Sequence, residues 1–143
     1  MAGLLTLYAC TQQSSQTLIT IADARLHPAH FNDTGAPGDS IGDILTFDQP
    51  LLDENMNVIG NNSGSCIRIQ VAHSFQCQWT LTFDTEDDVS KSIQVAGREY
   101  DKGSSTLSIT GGTGKYSGIT GEMDSTNNND GTFTQVLRYK LIP

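Results

Sequence analysis

Apolar and polar residues alternate with a period of two along most of the chain, the spacing that sends successive side chains to opposite faces of a β-strand. Over residues 17–27, Leu18, Thr20 and Ala22 interleave with Ile19, Ile21 and Asp23. Over 65–73, Cys66, Arg68 and Gln70 interleave with Ile67, Ile69 and Val71. Over 75–84, Cys77, Trp79, Leu81 and Phe83 interleave with Gln76, Gln78, Thr80 and Thr82. Further strands are expected over 41–48, 89–98, 105–110, 117–124 and 132–142. Turn formers separate them: a loop over 30–39, a long polar excursion over 49–64, an acidic turn over 84–88 and a hairpin tip over 127–131. Short strands without heptads, solenoid repeats or βαβ alternation predict an all-β fold: an eight-stranded antiparallel closed β-barrel whose interior can hold one small ligand. A two-sheet sandwich is the alternative. The barrel is assigned to residues 17–143 and an N-terminal arm to residues 1–16.

The length of 143 residues suits one domain, and 36% hydrophobic and 17% charged residues with 14 glycines favour strands and turns over helices. A formal charge of −8, with only 8 scattered Lys and Arg, excludes electrostatic binding of nucleic acid or of an anionic membrane. The apolar run over 3–10 is too short to span a bilayer and lacks a basic start. The expectation is therefore a cytoplasmic chain without a signal peptide, although Leu7-Tyr8-Ala9-Cys10 loosely imitates a lipoprotein cleavage site. Cys10, Cys66 and Cys77 suit buried free thiols better than a disulfide framework, with a Cys66–Cys77 bridge across a hairpin left open. Asn32-Asp33-Thr34 and Asn61-Asn62-Ser63 match the glycosylation pattern and are uninformative in so Asn-rich a chain.

Gly111-Gly112-Thr113-Gly114-Lys115 is not a phosphate loop. Ile109 stands where the first glycine belongs, Tyr116 stands where Ser or Thr would bind magnesium, and a strand rather than a helix follows. These glycines are expected to supply positive φ in a tight turn. His27, His30 and His73 lack metal-site spacing, and the acidic run of Asp84, Glu86, Asp87 and Asp88 lacks the glycine and final glutamate of a calcium loop. With no nucleophile elbow either, neither metal nor nucleophilic chemistry is expected. Glu99, Tyr100 and Asp101 form a polar cluster assigned to a rim or turn.

Arg68 carries the most information. If the aliphatic face of its strand points inward, Arg68 is a surface charge. If the polar face points inward, Ile67, Ile69 and Val71 need cover from another subunit, and Arg68 becomes a desolvated cation aimed at a ligand.

Residues 38–121 resemble the allene oxide cyclase barrel and the related dirigent proteins. The resemblance is carried by Ile41-Gly42-Asp43-Ile44-Leu45-Thr46-Phe47, by Ile59-Gly60 leading into Gly64-Ser65-Cys66-Ile67-Arg68-Ile69-Gln70, and above all by Leu107-Ser108-Ile109-Thr110-Gly111-Gly112-Thr113-Gly114-Lys115-Tyr116 with Gly121. Asp48-Gln49-Pro50-Leu51 is similar to a dirigent segment, and Gly64-Ser65-Cys66 to a cyclase segment that puts a cysteine in the cavity. The resemblance implies a barrel with an elongated apolar cavity, assembly as a homotrimer, no cofactor and, through Cys66, an inward Arg68 and Gln70. It also places Ile21 where the cyclases have a glutamate, Asp23 near an asparagine and Gln49 at a later asparagine.

The function it implies is a cofactor-independent cyclase or isomerase of specialised, natural-product metabolism, which folds a reactive apolar small molecule and steers its ring closure. In that reading Arg68 stabilises negative charge or anchors a carboxylate, and Asp23 or Asp48 transfers protons. Gln49 and Gln70 hydrogen-bond the substrate, Cys66 lines the cavity, and Trp79, Phe83 and Tyr139 form its apolar wall. The alternatives are a dirigent-like protein that orients radicals made by a separate oxidase, and a small-molecule carrier.

Overall fold

The computed structural model describes residues 13–85 and 88–142. Its strands are β1 (Gln16–Asp23), β2 (His30–Asn32), β3 (Ile44–Leu52), β4 (Val58–Gln70), β5 (Ser74–Thr85), β6 (Asp88–Tyr100), β7 (Ser104–Thr113), β8 (Ile119–Asn127) and β9 (Thr132–Leu141). A single 3-10 turn, Gly114–Tyr116, joins β7 to β8. Each strand from β2 to β9 pairs antiparallel with the next, and β9 pairs with β1. At a short seam, Ile21 meets Leu52 and Ala22 meets Leu51. That seam closes β1 and β3 to β9 into the eight-stranded antiparallel barrel that the alternation predicts, while the exposed β2 adds a three-residue fringe to β3.

The polar excursion expected over 49–64 is mostly sheet. β3 continues through Pro50 to Leu52 and β4 starts at Val58, so Gln49 stands opposite Asn62 and Pro50 opposite Asn61. The actual turn is brief: the Asp53 carboxylate accepts from the backbone N–H groups of Asn55 and Asn57, and Met56 adopts a φ of 66°. Polarity conceals the strands because this part of the barrel interior takes amides, with Asn62 and Gln49 each only 4% exposed.

One half of the barrel is packed solid by Leu81, Ile93, Val95, Leu107, Met123 and Leu137. Its end is stopped by Tyr116, which the 3-10 turn sets against Phe83 and Tyr139 at ring-centroid distances of 5.2 and 6.1 Å. The glycine-rich segment is thus a plug. Gly114 takes the left-handed φ of 59° expected of a turn residue, whereas Gly112 lies within β7, where a Cβ would come 2.6 Å from the Tyr116 carbonyl oxygen. Residues 1–12 of the arm, and the side chains of the acidic run from Asp84 to Asp88, lie outside the described residues.

Register also corrects the expectation of free thiols. β4 and β5 place Cys66 directly opposite Cys77 with Cα atoms 4.0 Å apart, and the two buried sulfurs form a disulfide. The bond crosses a pair of strands already held by a ladder, so its stabilisation comes from restricting the unfolded chain over a separation of 11 residues. Replacing both cysteines by alanine is expected to lower stability by about 2–4 kcal/mol in urea unfolding. An unchanged urea midpoint would show that the crosslink does not stabilise the fold.

Candidate functional site

Beyond the solid half, a cavity of about 470 Å³ opens at the other end of the barrel. Ala22, Leu45, Phe47, Trp79 and Phe133 form its apolar wall, and its mouth is framed by Pro28 and Ala29 after β1 and by Asn127, Asn129 and Gly131 of the β8–β9 hairpin. Pleat parity selects these side chains. Phe47 and Gln49 share the inner face of β3, Ser125 and Asn127 that of β8, and Phe133 and Gln135 that of β9. Gly64 makes room for Trp79, since a Cβ there would lie 2.2 Å from the Trp79 Cβ.

A polar layer forms part of this wall. Thr20 Oγ1 donates to Gln135 Oε1 at 2.8 Å, and Gln135 Nε2 donates to Asn62 Oδ1 at 3.1 Å. This satisfies Gln135, which is 1% exposed, and orients Asn62. The side-chain amide of Gln49 and the buried Trp79 Nε1–H are among the wall groups that have no hydrogen-bond partner among the described residues. An unpaired buried donor in a cavity wall is available to a ligand.

Among the described residues, Glu99 is the one ionisable side chain in the wall. Burial above all, helped by the nearby charge of Asp101, pushes its carboxyl up to about 6 against the opposing hydrogen bond of the Ser125 hydroxyl, which donates to Oε1 at 3.3 Å. Its other oxygen lies 3.5 Å from Cys77 Sγ. Gly97, opposite Cys77 in the β5–β6 register, puts no side chain between them. A carboxyl titrating so close to neutrality can both take and return a proton. The ligand atoms of Cys66, Cys77 and Glu99 lie within 4.8 Å of one another, but bonded sulfurs supply no thiolate and the trio is not a metal centre in this state.

Of the residues singled out from the sequence, the structure brings Gln49 and Trp79 to the cavity. Arg68 points inward, as its parity with Cys66 requires, and is 7% exposed, yet it lies outside the cavity wall. Its Nε and Nη1 pair with Asp39 and Asp101, both at 2.7 Å, and its guanidinium sits 3.7 Å over the Phe75 ring. Cys66 is inward but held in the disulfide. Asp23 is ion-paired at 2.8 Å with Arg25, which holds its carboxyl down to about 2. Asp48 lies on the outer face, accepting from Asn61 and Ser63, whose hydrogen bonds keep it below the usual carboxylate range. Gln70 follows a bulge after Arg68 and is exposed. Phe83 and Tyr139 belong to the stopped end, where Tyr139 Oη donates to Gln16.

Glu99, Asn62, Ser125 and Gln135 were not singled out from the sequence as site residues. The signal was parity: Glu99 shares the face of Ile93, Val95 and Gly97, and Asn62 that of Gly64 and Cys66.

Because the Glu99 carboxyl is raised in the folded state, its ionisation penalises folding. The penalty is absent below the unfolded value of 4.5 and fully present above about 6. Glu99→Gln is therefore expected to stabilise the protein by up to about 2 kcal/mol at pH 8 and by little at pH 4. Equal effects at the two pH values in urea unfolding would rule out a raised carboxyl.

No curated protein matches the chain significantly. Among solved structures it is similar to pyocyanin demethylase, with 21% identity, a TM-score of 0.70 and coverage of 89% of this chain and 100% of that one. The pterocarpan synthase dirigent protein GePTS1 shares 14% identity at a TM-score of 0.69, over 99% and 98% of the two chains. The Diels-Alderase AbmU from Streptomyces koyangensis shares 15% at 0.66, over 94% and 72%. At these identities the likeness is one of fold. A family model of dirigent-like proteins matches residues 5–142, and the chain belongs to that family.

Proposed function

We propose that the chain is a cyclase or isomerase of specialised small-molecule metabolism that needs no cofactor. The observation that carries the reading is a partly buried carboxyl, Glu99, the one charged group among the described residues of a cavity walled by Phe47, Trp79 and Phe133. The wall folds a flexible apolar substrate into a reactive conformer, which lowers the entropic part of the barrier. The Gln49 amide and the Trp79 indole N–H orient its polar atoms. Glu99 takes a proton from one substrate atom and returns it to another, so that substrate and product are isomers. Structural neighbours described as cycloaddition catalysts support this reading. The dirigent-like family match favours a second one, in which the cavity only orients radicals made by a separate oxidase.

The test starts from any small molecule released on denaturing the purified protein, incubated with fresh protein and no oxidant. Isomerisation by the protein alone, with turnover reduced about 10²–10⁴-fold in Glu99→Gln, is the expected outcome. Product that appears only with an added one-electron oxidase, the protein altering just its stereochemistry, selects the second reading.

We also propose a homotrimer. The inward polar face of β4 leaves Ile67 and Val71 outside at 49% and 48% exposure, beside Ile44 and the 72% exposed Ile41. Self-association would cover this apolar face. Native mass spectrometry is expected to show a trimer that Ile67→Glu dissociates, and a monomeric wild-type protein would overturn the assignment. The Cys66–Cys77 bond supports work in an oxidising compartment in place of the cytoplasm.

A further inference from the structure

We infer that the cavity takes an organic cation: an apolar, ring-bearing molecule whose positively charged nitrogen lies against the Glu99 carboxylate. The inference rests on the reading of Glu99 and its cavity as the site, and adds the charge of the substrate.

The argument is a count of charges. Among the described residues, the cavity wall contains one carboxyl and no Lys, Arg or His. The nearest buried cation, Arg68, is already held by two carboxylates, those of Asp39 and Asp101, and its face is stacked on Phe75. Around Glu99, β5 contributes Phe75 and the disulfide sulfur of Cys77, and β8 contributes Ser125. Asp101, in the turn just after β6, adds a second acid. No element packed against Glu99 brings a free positive charge among the described residues.

An anionic ligand would meet Glu99 unopposed, and a neutral apolar one would favour the protonated carboxyl and so give up any attraction to its charge. A cation supplies the missing partner. The rings of Phe47, Trp79 and Phe133 suit it as well, since aromatic faces attract cations. The unpaired Gln49 amide and Trp79 N–H are placed for an oxygen elsewhere on the molecule. The charge also serves the proposed chemistry: a positive nitrogen acidifies the neighbouring C–H whose proton Glu99 removes, and returning that proton to another carbon of the same molecule balances the isomerisation.

The chain's single tryptophan gives one indole N–H resonance, and it belongs to the cavity wall. Titrations of ¹⁵N-labelled protein at pH 8 would compare 1-methylquinolinium, its neutral isostere 1-methylnaphthalene, and 1-naphthoate. The expected order is cation, then neutral, then anion, with the cation at least about tenfold tighter than the isostere. That preference should vanish in Glu99→Gln. In the wild-type protein it should fade as the pH drops through about 6, which keeps the test sharp if the variant misfolds. Equal affinity of cation and isostere, or tightest binding of the anion, would overturn the inference while leaving the cavity as a ligand site. Failure of all three probes to shift the indole resonance would overturn the cavity reading as well.

Discussion

Closure of the sheet where Ile21 and Ala22 meet Leu52 and Leu51 is the constraint on which the rest of the structure depends. Once the sheet has no free edge, every strand must commit one face to the interior. On β5 that choice is simple, because Trp79, Leu81 and Phe83 are all apolar. On β4 it is not. The disulfide register puts Cys66 inside, and pleat parity carries Asn62 and Arg68 in with it while Ile67 turns outward. The interior must then satisfy polar groups, and the exterior is left with aliphatic ones.

The two polar consequences of β4 are handled differently. Asn62 joins a chain of side-chain hydrogen bonds from Thr20 through Gln135. Arg68 is clamped between Asp39 and Asp101 at the end of the barrel, a pairing that removes it from ligand chemistry. Once the guanidinium is matched by two carboxylates, the carboxyl of Glu99 stands alone. The electrostatic character of the cavity is therefore acidic, although the residue that seemed most informative in the sequence is basic.

The eight barrel strands were legible because alternation survives wherever one face is apolar. It failed over 49–64, where the inner face carries Gln49 and Asn62 and polar composition imitates a loop. It also could not reveal β2, whose three exposed residues bury nothing. Alternation alone left the face of Arg68 open and only the resemblance at Cys66 implied it inward; its partners are distant in sequence, and only the folded chain brings Asp39 and Asp101 to it. Glu99 shows the reverse. Its face was readable from Val95 and Gly97, but proximity to Tyr100 and Asp101 made it look like part of a turn.

Tyr116 gives the cavity a further property. By stopping one end of the barrel with Phe83 and Tyr139, it leaves the cavity open, among the described residues, on the side of Pro28 and the β8–β9 hairpin. Arrival and departure on that side share one path, so a molecule still in residence bars the next from entering. Exchange in such a chamber is governed by how weakly the resident molecule is retained.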